Sequence, residues 1–575
     1  MAIDRAALFV LTVLAICAVA IPSLLAFNLP PSPTLLNQVA AVALWGGFIA
    51  LPARRSCSWG DALGSTAPVL AAATCVGLAL CWSWARLGLP IGLALSALAL
   101  LAGAAAALLH GARSRPEAAQ RFFLAWVVAG VASTIIALLQ VFAPDVADGE
   151  IIARSGLAGR AVGNLRQPNH LSTLLLWSAV ALVPLVETGR VPMRLGAALF
   201  ALFVFAVELS ASRTGMVGVA VLGLWGCIDR RLSRGMRATL VAAPLIYALG
   251  WIGMSWWAAS GQHVFGAAAR LGESDVSGSR FGIWSNALAL LRQQPLQGVG
   301  AGEFNFAWTL TPFPGRPTAF FDHVHNLELQ LLVELGVPLG IVVTALLLAG
   351  LVLAFLRVTR IGGLEGSMSR AAFVMVLLSA LHSQLEYPLW YAYFLLPAAW
   401  AWGFCAAASA PSGTFRPGGG SASAVLGVTG ALMVAGSLWA LADYLVVSRI
   451  FEPGNSTAPL SERIKDGQRT TWFSHHADYA AVTTIDHPSE AWDAFKRAPH
   501  YLLDTRLMMA WAKAFAERGD LERARHIAQR LREFHNPQSD EFFAECEGLA
   551  PGAERPFQCD PPSRAMDWRD FRNLP

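Results

Sequence analysis

Long apolar stretches, separated by short polar or Pro/Gly-rich breaks, dominate the chain up to about residue 446. Each stretch approaches the ~20 residues that an α-helix needs to cross a hydrocarbon core of about 30 Å. This pattern predicts an all-α polytopic membrane protein with about thirteen transmembrane helices. The predicted spans lie near residues 6–27, 34–52, 64–83, 88–109, 122–142, 170–187, 193–209, 212–228, 238–257, 327–355, 370–386, 388–408 and 421–446.

The pattern changes after the last predicted span. Apolar residues of the segment 505–531 recur at helical spacing on both sides of Gly519 and Asp520, which predicts two amphipathic helices joined by a turn. The hairpin resembles a single tetratricopeptide unit, and one such unit cannot bury a core alone. We therefore expect it to dock onto neighbouring helices or to bind another protein. The pattern divides the chain into a transmembrane domain, 1–446, and a soluble helical C-terminal domain, 447–575.

Composition agrees with a membrane protein, because 55% of the residues are hydrophobic and only 14% are charged. Arginines occur in alternate short loops, and the positive-inside rule makes those loops cytoplasmic. This phasing places the N-terminus inside and the C-terminus outside, and the first apolar run reads as an uncleaved anchor. Three regions then face outward: the loop 142–169, the long loop 258–326 and the C-terminal domain. We expect membrane lipid, and no nucleic acid, among the partners.

Cysteines and carboxylates limit the chemistry of the outer face. No C-x-x-C motif occurs, which argues against zinc or thioredoxin chemistry. Cys546 and Cys559 would face an oxidising periplasm, where they form either a disulfide or two free thiols. No Asp-x-Asp motif or dense outer carboxylate cluster appears to hold Mg²⁺ or Mn²⁺. We therefore predict neither a metal site nor a cofactor.

The segment Phe321–Asn326 places two imidazoles where an outer loop enters an apolar helix. A titratable group at that depth needs either a partner or a function. The free pKa of histidine, about 6.5, allows His325 to accept a proton near neutral pH. Asn326 and Glu328 are close enough in sequence to orient it. We favour a catalytic base over a histidine that is merely hydrogen-bonded.

Arginines on the same outer face suggest an anionic ligand. A planar guanidinium can bind two phosphate oxygens through parallel hydrogen bonds. Arg166, Arg213 and Arg280 together would suit a lipid diphosphate headgroup. The alternative for each arginine is an interfacial anchor paired with a carboxylate such as Glu208.

Several of these motifs match one known family. The chain from about Gly163 to Trp402 resembles bacterial O-oligosaccharyltransferases, which belong to the superfamily of O-antigen ligases and polymerases. The matching motifs are Gln167-Pro168-Asn169-His170, Arg280 with Trp284, the Gly-rich stretch Pro295–Gly302, His323-x-His325-Asn326, Glu334-Leu335-Gly336 and the segment His382–Pro388.

The resemblance implies a metal-independent glycosyltransferase of the GT-C type on the periplasmic face. Its donor would be an oligosaccharide on undecaprenyl diphosphate, and its acceptor a Ser or Thr hydroxyl of an exported protein such as a pilin. By this analogy His325 is the catalytic histidine, and Arg280, Arg213 and Arg166 bind the donor diphosphate. The residues assigned to substrate positioning are Gln167, Asn169, His323 and Tyr387.

Elementary chemistry is compatible with this assignment. A serine hydroxyl is a poor nucleophile at neutral pH and gains from a base, whereas a lipid diphosphate is a good leaving group that mainly needs charge stabilisation. A ligase that transfers glycan to lipid A-core sugar, an O-antigen polymerase and a lipid-linked sugar transporter remain alternatives. Transporters tend to bury charges near the bilayer midplane, and the predicted spans contain almost none. The long outer tail and the Gln-Pro-Asn-His segment favour a protein acceptor.

Overall fold

A computed structural model of the chain describes residues 5–51, 58–261, 264–266, 275–313, 315–318, 320–408, 420–547 and 555–572. Within these ranges all regular secondary structure is helical. The predicted all-α class is therefore confirmed.

Twenty-one α-helices are defined in the described ranges. They are α1 Arg5–Leu24, α2 Leu35–Ala50, α3 Trp59–Leu87, α4 Ile91–Ala112, α5 Pro116–Phe142, α6 Pro168–Glu187, α7 Met193–Leu209, α8 Arg213–Ile228, α9 Arg234–Val241, α10 Ala243–Ala259, α11 Asp275–Gln293, α12 Phe304–Leu310, α13 Leu327–Val358, α14 Gly363–His382, α15 Ala392–Ala406, α16 Gly420–Phe451, α17 Leu460–Gln468, α18 Ser474–Thr483, α19 Thr505–Glu517, α20 Leu521–Glu533 and α21 Asp540–Ala544. Short 3₁₀ turns lie at Pro144–Val146, Pro388–Trp390, Pro488–Lys496, Ala498–His500, Pro537–Ser539, Phe557–Cys559 and Trp568–Phe571.

Every predicted span overlaps one of these helices or, in one case, the bent pair α9 and α10. Among the described residues, seven helices are long and apolar enough to cross a membrane, and the bent pair, with an angle of 42°, would make eight. Helices α2, α8 and α15 and the segment Leu8–Leu24 of α1 are apolar but shorter. The chain is thus a multi-pass membrane protein, and the number of about thirteen spans stays a prediction.

The chain forms two compact units, and the first comprises residues 1–71, 100–274 and 346–439. Helix α6 lies at its centre and packs against α5, α7, α8 and α14. The indole of Trp177 on α6 meets the ring of Trp126 at 4.7 Å between centroids and donates to the Met375 carbonyl at 3.0 Å. Because α6 is buried on all sides, the Gln-Pro-Asn-His segment at its N-terminus is held rigidly.

The second compact unit comprises residues 72–99, 275–345 and 440–575. Helices α19 and α20 of the tail form a hairpin around Gly519, as the sequence predicts. The hairpin is docked rather than isolated, because α20 packs against α12 and the His526 Nε2 hydrogen-bonds to the Leu310 carbonyl at 2.8 Å. Its classification as tetratricopeptide-like, and the division of the chain at residue 446, remain predictions.

A disulfide closes a short loop in the tail. Cys546 and Cys559 are bonded, with their Cα atoms 5.3 Å apart. Of the two states that the sequence leaves open, the structure has the disulfide.

Candidate functional site

His325 lies at the end of the loop that leads into α13. Its φ of +60° is in the left-handed region, which β-carbon sterics disfavour for residues other than glycine. The Nδ1 atom lies 2.9 Å from the His323 carbonyl oxygen. Because a carbonyl can only accept, Nδ1 must carry the hydrogen, which leaves Nε2 as the basic nitrogen of the neutral ring. This tautomer suits a proton acceptor.

The backbone just before His325 is held from two sides. The Val324 N–H donates to Oε1 of Gln330 at 2.7 Å, and the Val324 carbonyl accepts from the indole of Trp284 at 3.0 Å. Trp284 lies on α11, and Arg280 lies one turn earlier on the same helix face. One face of helix α11 therefore carries Arg280 and also contacts the loop that ends at His325, which we call the histidine loop.

Asn326 acts here as the N-cap of α13. Its Oδ1 accepts from the Leu329 N–H at 2.9 Å, which satisfies one of the open amides of the first turn. Sequence reasoning expects Asn326 to orient His325, whereas the structure shows the His323 carbonyl at the Nδ1 position. The last residue of the motif thus fixes where the helix begins.

The Asp322 carboxylate lies against the His323 ring on the same loop. The carboxylate lies 3.1 Å from His323 Nδ1. The Asp322 side chain is 45% exposed; its partial loss of hydration raises its pKa, but the nearby imidazoles of His323 and, to a smaller extent, His325 outweigh this and lower the pKa to about 2. Asp322 is therefore ionised at neutral pH.

The Gly-rich stretch after α11 braces a break in α13. Helix α13 departs from helical geometry at Gly336, where φ is +78°, and the carbonyls of Val333 and Glu334 accept from the N–H groups of Val299 and Gly300 at 2.9 and 3.0 Å. A non-helical backbone at membrane depth must find such partners inside the protein. The Gly-rich stretch Pro295–Gly302 and the motif Glu334-Leu335-Gly336 thus form the two sides of one contact.

The tail reaches the same stretch. His500 pairs with the Glu303 carboxylate at 2.8 Å, and both side chains are buried. The guanidinium of Arg572 donates to the Val299 carbonyl at 2.8 Å. Truncating the tail would therefore leave a buried carboxylate and a carbonyl without these partners, which links the tail to the stability of the stretch.

In the first compact unit, Gln167 caps α6. Its Oε1 accepts from the His170 N–H at 2.7 Å, and Pro168 occupies the first helical position. The preceding residue, Arg166, has φ +55° and donates to the carbonyls of Ala26 and Pro33. In this structure the Arg166 guanidinium thus anchors the loop between α1 and α2.

Asn169 lies at the centre of a buried polar network. Its Nδ2 donates to Glu386 Oε1 at 3.0 Å, and its Oδ1 accepts from the Ser212 hydroxyl at 2.6 Å. Ser212 in turn caps α8, whose first residue is Arg213. The network therefore fixes Arg213 and the Gln-Pro-Asn-His segment relative to Glu386.

Arg213 itself is half-buried, and among the described residues no carboxylate pairs with it. Glu208, the alternative partner, is fully buried in α7, and within the described part of the chain its oxygens have no hydrogen-bond partner. The ion-pair alternative thus has no support for Arg213 in this structure.

Aromatic rings surround the other polar residues of the first unit. His170 Nδ1 hydrogen-bonds with the Tyr393 hydroxyl at 3.2 Å, and its ring contacts Tyr391 at 4.6 Å between centroids. Tyr387 stacks on Tyr391 at 6.0 Å. His382 Nδ1 bonds the Thr173 hydroxyl at 2.8 Å. The segment His382–Pro388 is therefore packed onto the start of α6.

The structure divides the predicted site residues between the two units. Arg166, Gln167, Asn169, Arg213 and Tyr387 belong to the first unit. Arg280, His323 and His325 belong to the second. Sequence reasoning assigned no role to Asp322, although the carboxyl and imidazole side chains of Asp322 and His323 are adjacent in the sequence, and it did not foresee the bond between Asn169 and Glu386.

Within the described ranges, no group of three or more His, Cys, Asp or Glu side chains is arranged to hold a metal ion. The described residues thus suggest no metal site, and the expected metal independence remains a prediction.

Three family models match successive parts of the chain. The model described as protein glycosylation ligase matches residues 161–185, which include Arg166, Gln167 and Asn169. The O-antigen ligase model matches residues 198–344, which include Arg213, Arg280, His323 and His325. A model described as the C-terminal part of a virulence-factor membrane-bound polymerase matches residues 370–546, which include Tyr387.

Two proteins of Acinetobacter baylyi are similar to the chain. A general O-oligosaccharyltransferase is 29% identical over 245 residues, which are 41% of this chain and 42% of that protein. A ComP-specific O-oligosaccharyltransferase is 25% identical over 294 residues, which are 49% of this chain and 50% of that protein. The chain thus spans half the length of these relatives or less. Together with the family models, they confirm the resemblance drawn from the sequence motifs.

Proposed function

We propose that the chain, as a relative of the O-antigen ligases and protein glycosylation ligases, transfers a preassembled oligosaccharide from undecaprenyl diphosphate to Ser or Thr hydroxyls of exported proteins. The observation that supports this proposal is the 2.9 Å distance from His325 Nδ1 to the His323 carbonyl oxygen, which leaves Nε2 as the nitrogen that can accept the proton. The matched family segments include every residue to which we assign a role.

In the proposed reaction, the acceptor oxygen attacks the anomeric carbon of the first sugar while the bond from that carbon to the diphosphate breaks. The hydroxyl proton passes to His325 Nε2, and undecaprenyl diphosphate leaves as an anion. General-base help is typically worth about 10²–10⁴ in rate. The base is needed because the hydroxyl is otherwise a weak nucleophile.

The developing charge on the diphosphate needs positive groups. Arg280, on the helix that braces the histidine loop, is the first choice, and Arg213 the second. Arg166 keeps its predicted role in diphosphate binding, although its guanidinium donates to two carbonyls here. We assign substrate positioning to Gln167, Asn169, His323 and Tyr387, with the reaction on the periplasmic face of the inner membrane.

One observation favours a second function. The O-antigen ligase model matches the longer part of the catalytic region, residues 198–344. A ligase of that kind would use the same donor and the same His325 but a sugar of lipid A-core as acceptor. The names of the two relatives and the match to the protein glycosylation ligase model favour the protein acceptor.

Purified protein incubated with undecaprenyl-diphosphate glycan and either a pilin-like protein or lipid A-core decides between the two. We expect a mass increase of one oligosaccharide on the protein acceptor. Transfer to lipid A-core alone would replace the proposal by the second function, and transfer to neither acceptor would contradict both.

A further inference from the structure

We propose, on the basis of the function proposed above, that Asp322 is a positioning residue for His325. Its carboxylate lies against the ring of His323, whose carbonyl orients the catalytic imidazole, and it places a negative charge near the imidazolium that forms during transfer. Asp322 would thereby support the action of His325 as the base.

The contacts form a connected series along one loop. Asp322 Oδ1 lies 3.1 Å from His323 Nδ1, and the His323 carbonyl accepts from His325 Nδ1 at 2.9 Å. The His323 side chain is only 16% exposed, so its position depends on its partners more than on solvent. Removing the Asp322 carboxylate would therefore loosen the residue whose carbonyl fixes the His325 tautomer.

The charge of Asp322 also acts on His325 directly. The carboxylate is ionised at neutral pH, and both His323 and His325 contribute to lowering its pKa to about 2, although burial opposes them. The interaction is mutual, since a group that is stabilised by a nearby imidazolium stabilises that imidazolium equally. An anion near the base therefore favours the protonated ring that proton abstraction produces.

Other ionisable groups face this loop from two elements. Glu334, on α13, acts on His323 and lies beside the N–H groups of Gly302 and Phe304. Tyr501, in the tail, faces Asp322, and burial together with the Asp322 charge raises the pKa of its hydroxyl to about 12. Because Tyr501 stays neutral at working pH, its titration does not compete with the effect of Asp322 on His325.

The test is the pH dependence of glycan transfer by Asp322→Asn, which keeps the size of the side chain and removes its charge. Without the anion the pKa of His325 falls, so we expect the acidic limb of the profile to move to lower pH by about one unit. We also expect the plateau rate to fall roughly tenfold, because the base is weaker and less well oriented.

Asp493→Asn is the matched control, because Asp493 is an exposed carboxylate, 84% accessible, in the same compact unit. We expect its profile to coincide with that of the wild type. Expression and thermal midpoint of both variants are measured beside the rates, so that misfolding is not read as lost catalysis.

Asp322→Glu keeps the charge on a longer side chain and should keep the wild-type acidic limb with a reduced plateau. If Asp322→Asn proves inactive, the glutamate variant decides: a wild-type limb supports the proposal, and inactivity or a shifted limb overturns it. A wild-type profile in Asp322→Asn, or a reduced plateau with an unmoved limb, would also overturn it. Failure of the wild-type chain to transfer glycan would instead contradict the proposed function.

Discussion

Replacing Gly298 by alanine should damage the contact between the Gly-rich stretch after α11 and the break in α13. Gly298 has φ +65°, and a Cβ there would lie 2.5 Å from the Glu334 carbonyl oxygen and 2.6 Å from the Gly336 nitrogen. Both are backbone atoms, which cannot rotate away as a flexible side chain could. The stretch after α11 would therefore have to move off the break in α13.

The structure allows the cost to be worked out. A left-handed conformation costs an L-residue about 1–2 kcal/mol relative to glycine. Moving the stretch also breaks the bonds from Val299 and Gly300 to α13, each worth about 1 kcal/mol net. The expected loss in free energy of unfolding is thus about 3–4 kcal/mol, which is a large part of the stability of an ordinary domain.

Gly315→Ala is a matched control. Gly315 has the same φ, +65°, and lies in the same compact unit, but apart from its chain neighbours no described residue has an atom within 4 Å of its Cβ position. The free energy of unfolding of Gly315→Ala should fall only by the cost of the left-handed backbone conformation, about 1–2 kcal/mol. The difference between the two variants, about 2 kcal/mol, then measures the brace itself.

Denaturant unfolding of the purified protein in detergent gives both values, and glycan transfer measured on the same samples gives the functional effect. We expect Gly298→Ala to lose both stability and transfer, and Gly315→Ala to keep most of each. Equal losses in the two variants would show that the contact between the stretch and α13 contributes nothing measurable, which would refute the reasoning.

Three further predictions concern single side chains. His325→Ala should lower the transfer rate by about 10²–10⁴ without changing the protein level, whereas His323→Ala, which keeps the backbone carbonyl, should retain measurable transfer; reversed effects would assign the base to His323. Arg280→Lys should fail nearly as badly as Arg280→Ala in the same assay, since an ammonium cannot bind two phosphate oxygens in the plane of a guanidinium, and full activity of the lysine variant would reduce Arg280 to a general positive charge. Burial lowers the pKa of His526 from 6.5 to about 4, so between these pH values the unfolded chain binds a proton at His526 that the folded chain does not. The free energy of unfolding should therefore fall as the pH drops from 6.5 to about 4. His526→Gln, whose amide can still donate to the Leu310 carbonyl, should flatten this decline in unfolding experiments, and an unchanged slope would mean that other groups cause it.

The helices were predictable because their signals are local. Length and apolar content decide whether a segment such as Leu327–Val358 forms a membrane helix, and both are read directly from the sequence. The turn at Gly519 is equally local, since its φ of +81° suits glycine alone among common residues. The two helices on either side of that turn end within a few residues of their predicted limits.

The partners of polar side chains were not predictable, because they depend on chain segments far apart in sequence. Asn169 bonds to Glu386, 217 positions away, and no local pattern encodes that pairing. Arg166 illustrates the same limit, since a guanidinium can donate either to a phosphate or to a backbone carbonyl. Only the fold shows that the carbonyls of Ala26 and Pro33 lie within its reach.

The backbone at His325 gives an independent argument for function. A φ of +60° is more favourable for glycine or asparagine than for histidine. The backbone around His325 is held by hydrogen bonds from Trp284, to Gln330 and at the cap Asn326. Strained backbone of this kind persists only where surrounding contacts over-determine it, and such residues cluster at functional sites. Arg166, Ala211 and His535 also have positive φ, so the conformation alone does not identify a base. At His325 it is combined with the contact of Nδ1 with a carbonyl, and together they set where Nε2 points, as the proposed general base requires.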